Sequence, residues 1–281
     1  MMRSLFSAVS GLKNHQTAMD VIGNNVANVN TVAFKSKKVV FQDIISQTVS
    51  SATAPTTTTG GMNAKQVGLG MSIATIATDI TEGSTQTTSA PLDFAITGEG
   101  YFIVQGGDGT KYYTRNGNFT TDSQGYLVTA NGDYVMAVTG STGIANGTTP
   151  STLSKIQILG TIGGNTYSEY AIDSSGVVTA KRSTGTIDTL GRIALATFNN
   201  AAGLENVGAS KYQQSSNSGT AVYHFANDNA GKVQSGQLEM SNVQLANELT
   251  NMIIMQRGYQ ANSRVITTSD TMLEELINLK R

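Results

Sequence analysis

Apolar residues recur at helical spacing near both ends of the chain. From Ser4 to Val26 they follow steps of three, four and seven residues, and a similar pattern runs from about Gln237 to Leu279. Both apolar stripes are narrow, and Gly11 weakens the first segment further. Because isolated helices of this kind are marginally stable in water, the pattern predicts two long terminal helices that gain order by packing against other helices.

The residues of these stripes are the candidate contact residues of the two helices. They are Leu5, Val9, Leu12 and Met19 near the N-terminus, and Leu245, Leu249, Met252, Tyr259, Ile266, Leu273 and Leu276 near the C-terminus. Since the spacing is that of a coiled coil, we expect the two terminal helices to pair as one. Two helices cannot bury both stripes, so identical subunits are expected to supply further helices.

Several asparagines lie near the end of the first predicted helix, in the stretch "GNNVANVN". Two interpretations stay open. Asparagine is a poor helix former and a good turn former, so the cluster can simply end the helix. Alternatively, Asn24 and Asn28, which lie one turn apart, hydrogen-bond to neighbouring subunits and fix the register of the helices.

The middle of the chain consists of short β-branched and aromatic runs separated by turn residues, as in "LDFAITGEGYFIVQ". The pairs Asp108–Gly109, Asn116–Gly117 and Asn131–Gly132 indicate tight hairpins, because both residue types tolerate a positive φ. Asp122 and Asp173 each stand three residues before a glycine and are expected to cap two further turns. This pattern is typical of antiparallel β-structure.

Together these patterns predict an α+β fold in which paired terminal helices enclose a mainly antiparallel β domain. The expected boundaries are residues 1–30 and 237–281 for the helical domain, 31–90 for an extended linker and hairpin region, and 91–236 for an all-β shell domain. The short interval from 139 to 170 leaves room for only a minimal outer domain, or none.

Composition narrows the class of function. Only 13% of the residues are charged and the formal net charge is −1, which argues against nucleic acid as a partner. No apolar run approaches the ~18 residues of a membrane span, so no membrane insertion is expected. Lys35, Lys37 and Lys38 form a small basic cluster, which is expected to be a solvated strand edge.

Catalytic and metal-binding motifs are missing from the pattern. The chain has no cysteine, and His15 and His224 are its two histidines. The run "GGDGTK" lacks phosphate-loop spacing and is expected to be a hairpin turn. We therefore predict no catalytic residue, no metal ligand and no cofactor. A surface adhesin, as another class rich in Thr and Asn, is the alternative to a self-assembling protein.

Several long blocks resemble the bacterial flagellar axial proteins of the rod and hook. They are "GLKNHQTAMDVIGNNVANVNTVAFKSKKVVFQDII", "PLDFAITGEGYFIV", "YYTRNGNFTTDSQGYLVTANG" and "SNVQLANELTNMIIMQRGYQANSRVITTSDTMLEELINL", in the family order. One departure stands out, because Ala33 occupies the glycine position before Phe34. If that position needs a positive φ, Ala33 strains the turn by roughly 1 kcal/mol.

The resemblance implies a structural subunit of the flagellar hook, self-assembling into a helical tube that acts as a flexible universal joint; the alternative is the distal rod. It implies as partners copies of the same chain, rod proteins, hook–filament junction proteins and the hook cap. It also implies passage through the flagellar type III export apparatus without a cleaved signal peptide, and a location outside the cell in the flagellum.

Overall fold

The structure is a computed structural model that describes residues 2–57, 59–139, 152–162, 164–228 and 230–279. The chain divides into two compact units. Unit 1 comprises Met1–Asn28, Ser36–Asp79 and Val243–Arg281, and unit 2 comprises Val29–Lys35 and Ile80–Asn242. The interval from 139 to 170, where a minimal outer domain was expected, lies partly outside the described residues.

Unit 1 contains the two terminal helices, α1 (Met2–Ala27) and α2 (Leu245–Asn278). Both lack proline, and their apolar residues recur at helical spacing. The prediction that α2 begins near Gln237 is wrong, because Gln237–Glu239 is a β-strand in unit 2. Leu238 and Glu239 are buried there, so tertiary pairing decides the conformation of this segment.

Two antiparallel two-stranded ribbons complete unit 1. Their strands are β1 (Lys37–Asp43), β2 (Gln47–Ser50), β3 (Lys65–Val67) and β4 (Met71–Thr78). β1 pairs with β4, and β2 pairs with β3. Along β1 more exposed and less exposed residues alternate at first, as expected for a ribbon with one face against the rest of the unit.

Polar side chains of α1 join the helix to the ribbon of β1 and β4. Nδ2 of Asn14 donates to the carbonyl oxygen of Met71 over 2.6 Å. Nδ2 of Asn25 donates to the carbonyl oxygen of Lys37 over 2.8 Å, and the amide of Lys37 donates back to Oδ1 of Asn25 over 3.0 Å. This pairing satisfies a fully buried amide side chain, which would be costly without a partner.

In its described residues, unit 2 is built from β-strands and one 3-10 turn, Ala201–Gly203. The strands are β5 (Thr85–Thr87), β6 (Phe94–Thr97), β7 (Tyr101–Gln105), β8 (Lys111–Thr114), β9 (Phe119–Thr121), β10 (Leu127–Thr129), β11 (Tyr134–Thr139), β12 (Ser154–Lys155), β13 (Gly160–Ile162), β14 (Asn165–Ile172), β15 (Val177–Arg182), β16 (Ile187–Thr197), β17 (Glu205–Gly208), β18 (Lys211–Gln213), β19 (Val222–Phe225), β20 (Lys232–Ser235) and β21 (Gln237–Glu239).

The main sheet has the strand order β13-β14-β15-β16-β11-β7-β8-β18-β17, and β19 joins it beside β16. β9, β10 and β12 extend it through further pairings. Two small ribbons, β6 with β20 and β5 with β21, lie outside this sheet. Every strand pair in the described residues is antiparallel, so the prediction of terminal helices and a mainly antiparallel β domain is confirmed.

The central strands of unit 2 are buried on both faces. In β7, Phe102 packs in one apolar cluster, whereas its neighbours Tyr101 and Ile103 pack in another. β16 divides in the same way, with Leu195 in the first cluster and Ala194 in the second. Because successive side chains of a strand point to opposite faces, the continuous runs "YFIV" and "IALA" fit strands covered on both sides.

Turn residues behave largely as the sequence predicts. Asp122 accepts hydrogen bonds from the amides of Gln124 and Tyr126 through Oδ1, and Asp173 accepts one from Ser174, so both carboxylates cap their turns. The Asn116–Gly117 prediction is wrong, because this pair joins β8 and β9, which do not pair with each other. A Cβ at Gly117 would lie 1.8 Å from the carbonyl oxygen of Phe94, so close packing explains that glycine.

Ala33 adopts the left-handed conformation, with φ at +57°. The position before Phe34 therefore has a positive φ, and the strain expected from the sequence is present. Ala33 is buried, and its amide donates to the carbonyl oxygen of Glu239 over 2.8 Å. This hydrogen bond and the burial of the methyl group offset part of the strain.

Candidate assembly interface

The helices α1 and α2 pack against each other in antiparallel directions. A Cβ added at Gly11 would lie 2.6 Å from Nδ2 of Asn262, and one added at Gly258 would lie 2.9 Å from Nε2 of His15. Because the later α1 residue meets the earlier α2 residue, the helices run in opposite directions. The two glycines permit this close approach, since any larger residue would displace the side chain opposite.

Small residues form much of the buried face of α1. The residues of α1 that are buried within unit 1 are Ala8, Gly11, Ala18, Ile22 and Asn25. They recur at steps of three, four and seven, so they lie on one face of the helix. Among them, Ile22 alone has a large apolar side chain, so α1 spends little of its apolar surface inside its own subunit.

The predicted α1 stripe lies beside this buried face and does not coincide with it. Val9 is 45% exposed, whereas Leu5, Leu12 and Met19 are half-buried. The buried stripe is displaced from the predicted one by a single residue, which is about 100° around the helix. The prediction missed the buried face because alanine and glycine contribute little to an apolar pattern.

The predicted residues of α2 divide between the two sides of the helix. Half-buried are Met252, Ile266 and Leu273. Exposed are Leu245, Leu249, Tyr259 and Leu276, at 45%, 45%, 37% and 50%. The structure therefore brings part of the predicted stripe against its own unit and leaves the rest on the surface.

A large set of apolar side chains remains exposed along the two helices. Its members, named here the helix apolar surface, are Phe6, Val9, Leu245, Leu249, Ile253, Ile254, Tyr259, Val265, Met272, Leu276, Ile277 and Leu279. Scattered exposed apolar residues are normal, but a set this dense along two helices is typical of a protein interaction site. So many exposed apolar side chains are not expected on helices that face only water.

A second exposed apolar region lies on the hairpin of β2 and β3. Ile45 is 84% exposed, Val49 65%, Met62 60% and Val67 45%. All residues of both strands are exposed. Since an isolated two-stranded hairpin is marginally stable in water, this hairpin also resembles an element that awaits a partner.

The asparagines near the end of α1 have separate environments. Asn24 is exposed and Asn28 is half-buried, and Nδ2 of Asn28 donates to the carbonyl oxygen of Asn24 over 2.9 Å at the helix end. This bond fits the interpretation in which the cluster ends the helix. Sequence reasoning missed Asn25, whose amide pairs with the backbone of Lys37 in β1.

His15 lies between α2 and the β1–β4 ribbon. Its Nδ1 is 3.3 Å from Sδ of Met255, and its ring meets the ring of Phe41 edge-on with the centroids 5.8 Å apart. Burial lowers the pKa of His15 below its usual value. The neutral imidazole therefore fits this apolar contact better than the charged one does.

The expectation that Lys35 lies on a solvated strand edge is wrong. Lys35 is 3% exposed, and its Nζ lies 2.6 Å from Oε1 of Glu239. Lys38 is exposed and Lys37 half-buried, so the basic cluster divides. No local pattern marks Lys35, because its partner is 204 positions away in the chain.

Within the described ranges, no group of three or more His, Cys, Asp or Glu side chains could hold a metal ion. None of the helices described is long and apolar enough to cross a membrane.

Comparisons with known proteins agree with the geometry. Residues 5–35 match the family described as flagella basal body rod protein. Residues 95–180 match the flagellar hook protein FlgE/F/G D1 domain, and residues 234–279 match the C-terminal region of the flagellar basal body rod FlgEFG proteins. The three matches thus fall on α1, the β unit and α2.

Relatives match over their full length. The flagellar basal-body rod protein FlgG of Bacillus subtilis is 46% identical over 283 residues, covering 100% of both chains. The flagellar hook protein FlgE of Borreliella burgdorferi is 31% identical over 442 aligned positions, again covering 100% of both chains. A crystal structure of Helicobacter pylori flagellar hook protein FlgE2 aligns at 12% identity with a TM-score of 0.23, over 64% of this chain and 47% of that one, and supports no further argument.

Exposed apolar side chains on two terminal helices, together with a β unit that has its own core, are typical of a structural protein that assembles with other chains. The chain belongs to the flagellar rod and hook protein family. The resemblance drawn from its sequence blocks is confirmed, and its role is that of a structural component of the bacterial flagellar axis.

Proposed function

We propose that the chain polymerises into a helical tube whose inner layer is formed by α1 and α2 of many subunits, with no catalytic role. The helix apolar surface carries this proposal, because the buried face of α1 consists mostly of small residues whereas many large apolar residues of both helices stay exposed. Packed copies would bury that surface and complete a coiled-coil layer. The β unit would form the surrounding shell, and residues 31–90 would supply the linker and hairpins around the inner layer.

In this proposal, the residues of the predicted stripes are inter-subunit contacts. The outward ones, such as Val9, Leu249 and Leu276, would meet neighbouring helices directly. The half-buried ones, such as Leu12 and Ile266, would close the seam between the pair and its neighbours. Asn24 is exposed and remains available to hydrogen-bond across subunits, whereas Asn28 already bonds at the helix end.

A charge placed in the helix apolar surface tests this proposal. Leu249→Asp would put an unpaired carboxylate into a dry contact, so polymerisation should be abolished while the β unit stays folded. Asn251→Asp is the matched control, since Asn251 is exposed on the same helix and the change adds the same charge. Sedimentation and electron microscopy measure assembly, and far-UV circular dichroism measures the β fold. Normal tubes from Leu249→Asp would refute the interface.

Within the flagellar axis, we assign the chain to the hook, where the tube would act as a flexible joint. Few residues are charged, and Thr, Ser, Asn and Gly dominate many exposed segments. Small polar contacts exchange partners at little cost, which suits shell surfaces that slide as the tube bends. Export through the type III apparatus, and contacts with rod proteins, junction proteins and the hook cap, complete this proposal.

The distal rod is the second candidate. It is favoured by the length match, because relatives named as rod protein FlgG align over 275 to 284 residues, whereas two relatives named as hook protein FlgE need 442 and 464 aligned positions. Deleting the gene distinguishes the two. Basal bodies with a complete rod and no hook support the hook assignment, and a truncated rod supports the alternative.

A further inference from the structure

A cluster of three buried charged side chains in unit 2 takes no part in the proposed assembly interface. Lys35 is 3% exposed, Arg115 5% and Glu239 1%. Nζ of Lys35 lies 2.6 Å from Oε1 of Glu239, and Nη1 of Arg115 lies 3.3 Å from Oε2. Removing three charges from water costs several kcal/mol per ion, and apolar side chains could fill the same space more favourably.

The cluster lies where the chain enters and leaves unit 2. Lys35 ends the first segment of the unit, Ile80 begins the second, and Asn242 ends it. Nζ of Lys35 donates to the carbonyl oxygen of Thr81 over 2.7 Å, and Nδ2 of Asn242 donates to the same oxygen over 3.2 Å. The backbone N–H of Asn242 also donates to the carbonyl oxygen of Phe34 over 3.4 Å. Three connecting segments, 33–35, 80–84 and 239–242, are thus held together.

Glu239 bonds to each of the other parts of the cluster. Its carboxylate accepts from Lys35, from Arg115 and from the amide of Gly83, the last over 3.1 Å. Its carbonyl oxygen accepts from the amide of Ala33 over 2.8 Å. One residue therefore connects the segment that follows α1 in the chain, the segment that precedes β5 and the end of β8.

The electrostatics make the cluster depend on that carboxylate. Burial lowers the pKa of Lys35 below its usual value, the charge of Glu239 opposes this effect, and the charge of Arg115 adds to it. Without Glu239, two buried cations would face each other without a compensating anion in contact. Loss of the carboxylate charge should therefore disturb both cations at once.

We propose that Lys35, Arg115 and Glu239 form a connection anchor, a set of positioning residues that holds the three connecting segments together so that none detaches alone. If the subunit carries mechanical load, as the proposed function implies, these segments would share that load. This part of the inference rests on the proposed function. Unanchored segments would instead yield one after another. The buried charges therefore serve positioning more than net stability.

Hydrogen exchange in the monomer tests the anchor without requiring polymerisation. Glu239→Gln keeps the side-chain shape and removes the charge. We expect amide protection at Ala33, Met240 and Asn242 to fall together by on the order of tenfold or more, although the Glu239 side chain bonds to none of these amides. Protection in β7 should not change, because that strand lies in the apolar core.

Two results would overturn the anchor. Loss of protection at Gly83 alone would mean that Glu239 makes only a local hydrogen bond. An equal loss in β7 would mean that the cluster serves global stability. Glu169→Gln is the matched control, because Glu169 pairs with Lys181 over 3.1 Å on the exposed surface of the same unit, and this change should leave all segments protected.

A variant without charges separates charge from packing. Lys35→Met, Arg115→Met and Glu239→Leu together replace the cluster with apolar side chains of similar size, which should preserve or raise the Tm of unit 2. We expect the three segments still to exchange faster than in the wild type. If their protection equals that of the wild type, apolar packing suffices and the charges position nothing. If the Tm falls with the protection, the cluster serves global stability and the anchor is likewise refuted.

Discussion

Unit 2 buries large apolar side chains such as Phe102 and Leu195 completely, whereas the helices of unit 1 leave Phe6 63% and Ile254 57% exposed. Within unit 1, the two helices approach each other closely at Gly11 and at Gly258. One unit therefore buries large apolar groups in its own core, and the other leaves many of its large apolar groups exposed. The two units therefore differ in the size of the side chains that they bury.

The largest expected effect compares one phenylalanine from each unit. Phe102→Ala should destabilise unit 2 by about 3–5 kcal/mol, because it leaves a cavity in a closed core. Phe6→Ala should change monomer stability by no more than about 0.5 kcal/mol, because the side chain is 63% exposed. Urea unfolding followed by circular dichroism measures both. Similar losses would break the comparison.

Two glycines of α1 sharpen the comparison within unit 1. Gly23→Ala should stabilise the helix by about 1 kcal/mol, because a Cβ there meets nothing within 4 Å. Gly11→Ala gains the same propensity but forces the amide of Asn262 away, since the new Cβ would lie 2.6 Å from it. We expect thermal unfolding to place Gly11→Ala about 1–2 kcal/mol below Gly23→Ala. Equal values would mean that the Asn262 side chain moves aside at little cost and that Gly11 is not required for the packing.

Unit 2 contains a strained turn at which one substitution should raise the stability of the unit. Ala209 and Ser210, between β17 and β18, have φ of +53° and +56°, a conformation that asparagine and glycine adopt more readily. Ala209→Asn should stabilise the unit by about 1 kcal/mol or less. Ser216→Asn is the control, because Ser216 is exposed and its φ is not positive. An equal gain at both sites in thermal unfolding would contradict the explanation.

The smallest expected effect concerns pH and the helix pair. Burial holds the pKa of His15 in the folded state below the unfolded value of 6.5, so below that pH the unfolded state binds more protons. Stability should therefore fall as the pH drops below about 6.5 and stay constant above it, as far as His15 contributes. In His15→Gln this contribution should vanish. Unfolding midpoints between pH 5 and pH 8 that depend on pH identically in both proteins would exclude His15.

Local sequence patterns correctly predict the type of most elements. Helical spacing placed α1 and α2, turn chemistry placed the caps at Asp122 and Asp173, and β-branched runs indicated antiparallel structure. These features depend on neighbours within a few positions, so local physics suffices to predict them.

Which residues pack together depends instead on the tertiary structure. The buried face of α1 turned out to be the small-residue stripe, Gln237–Glu239 became a strand, and Lys35 found its partner Glu239 far along the chain. Each outcome depends on groups brought together by folding, and their free energy of burial exceeds the local preference of the segment. Propensity and periodicity carry no information about such partners, which is why the pattern of the chain could not reveal them.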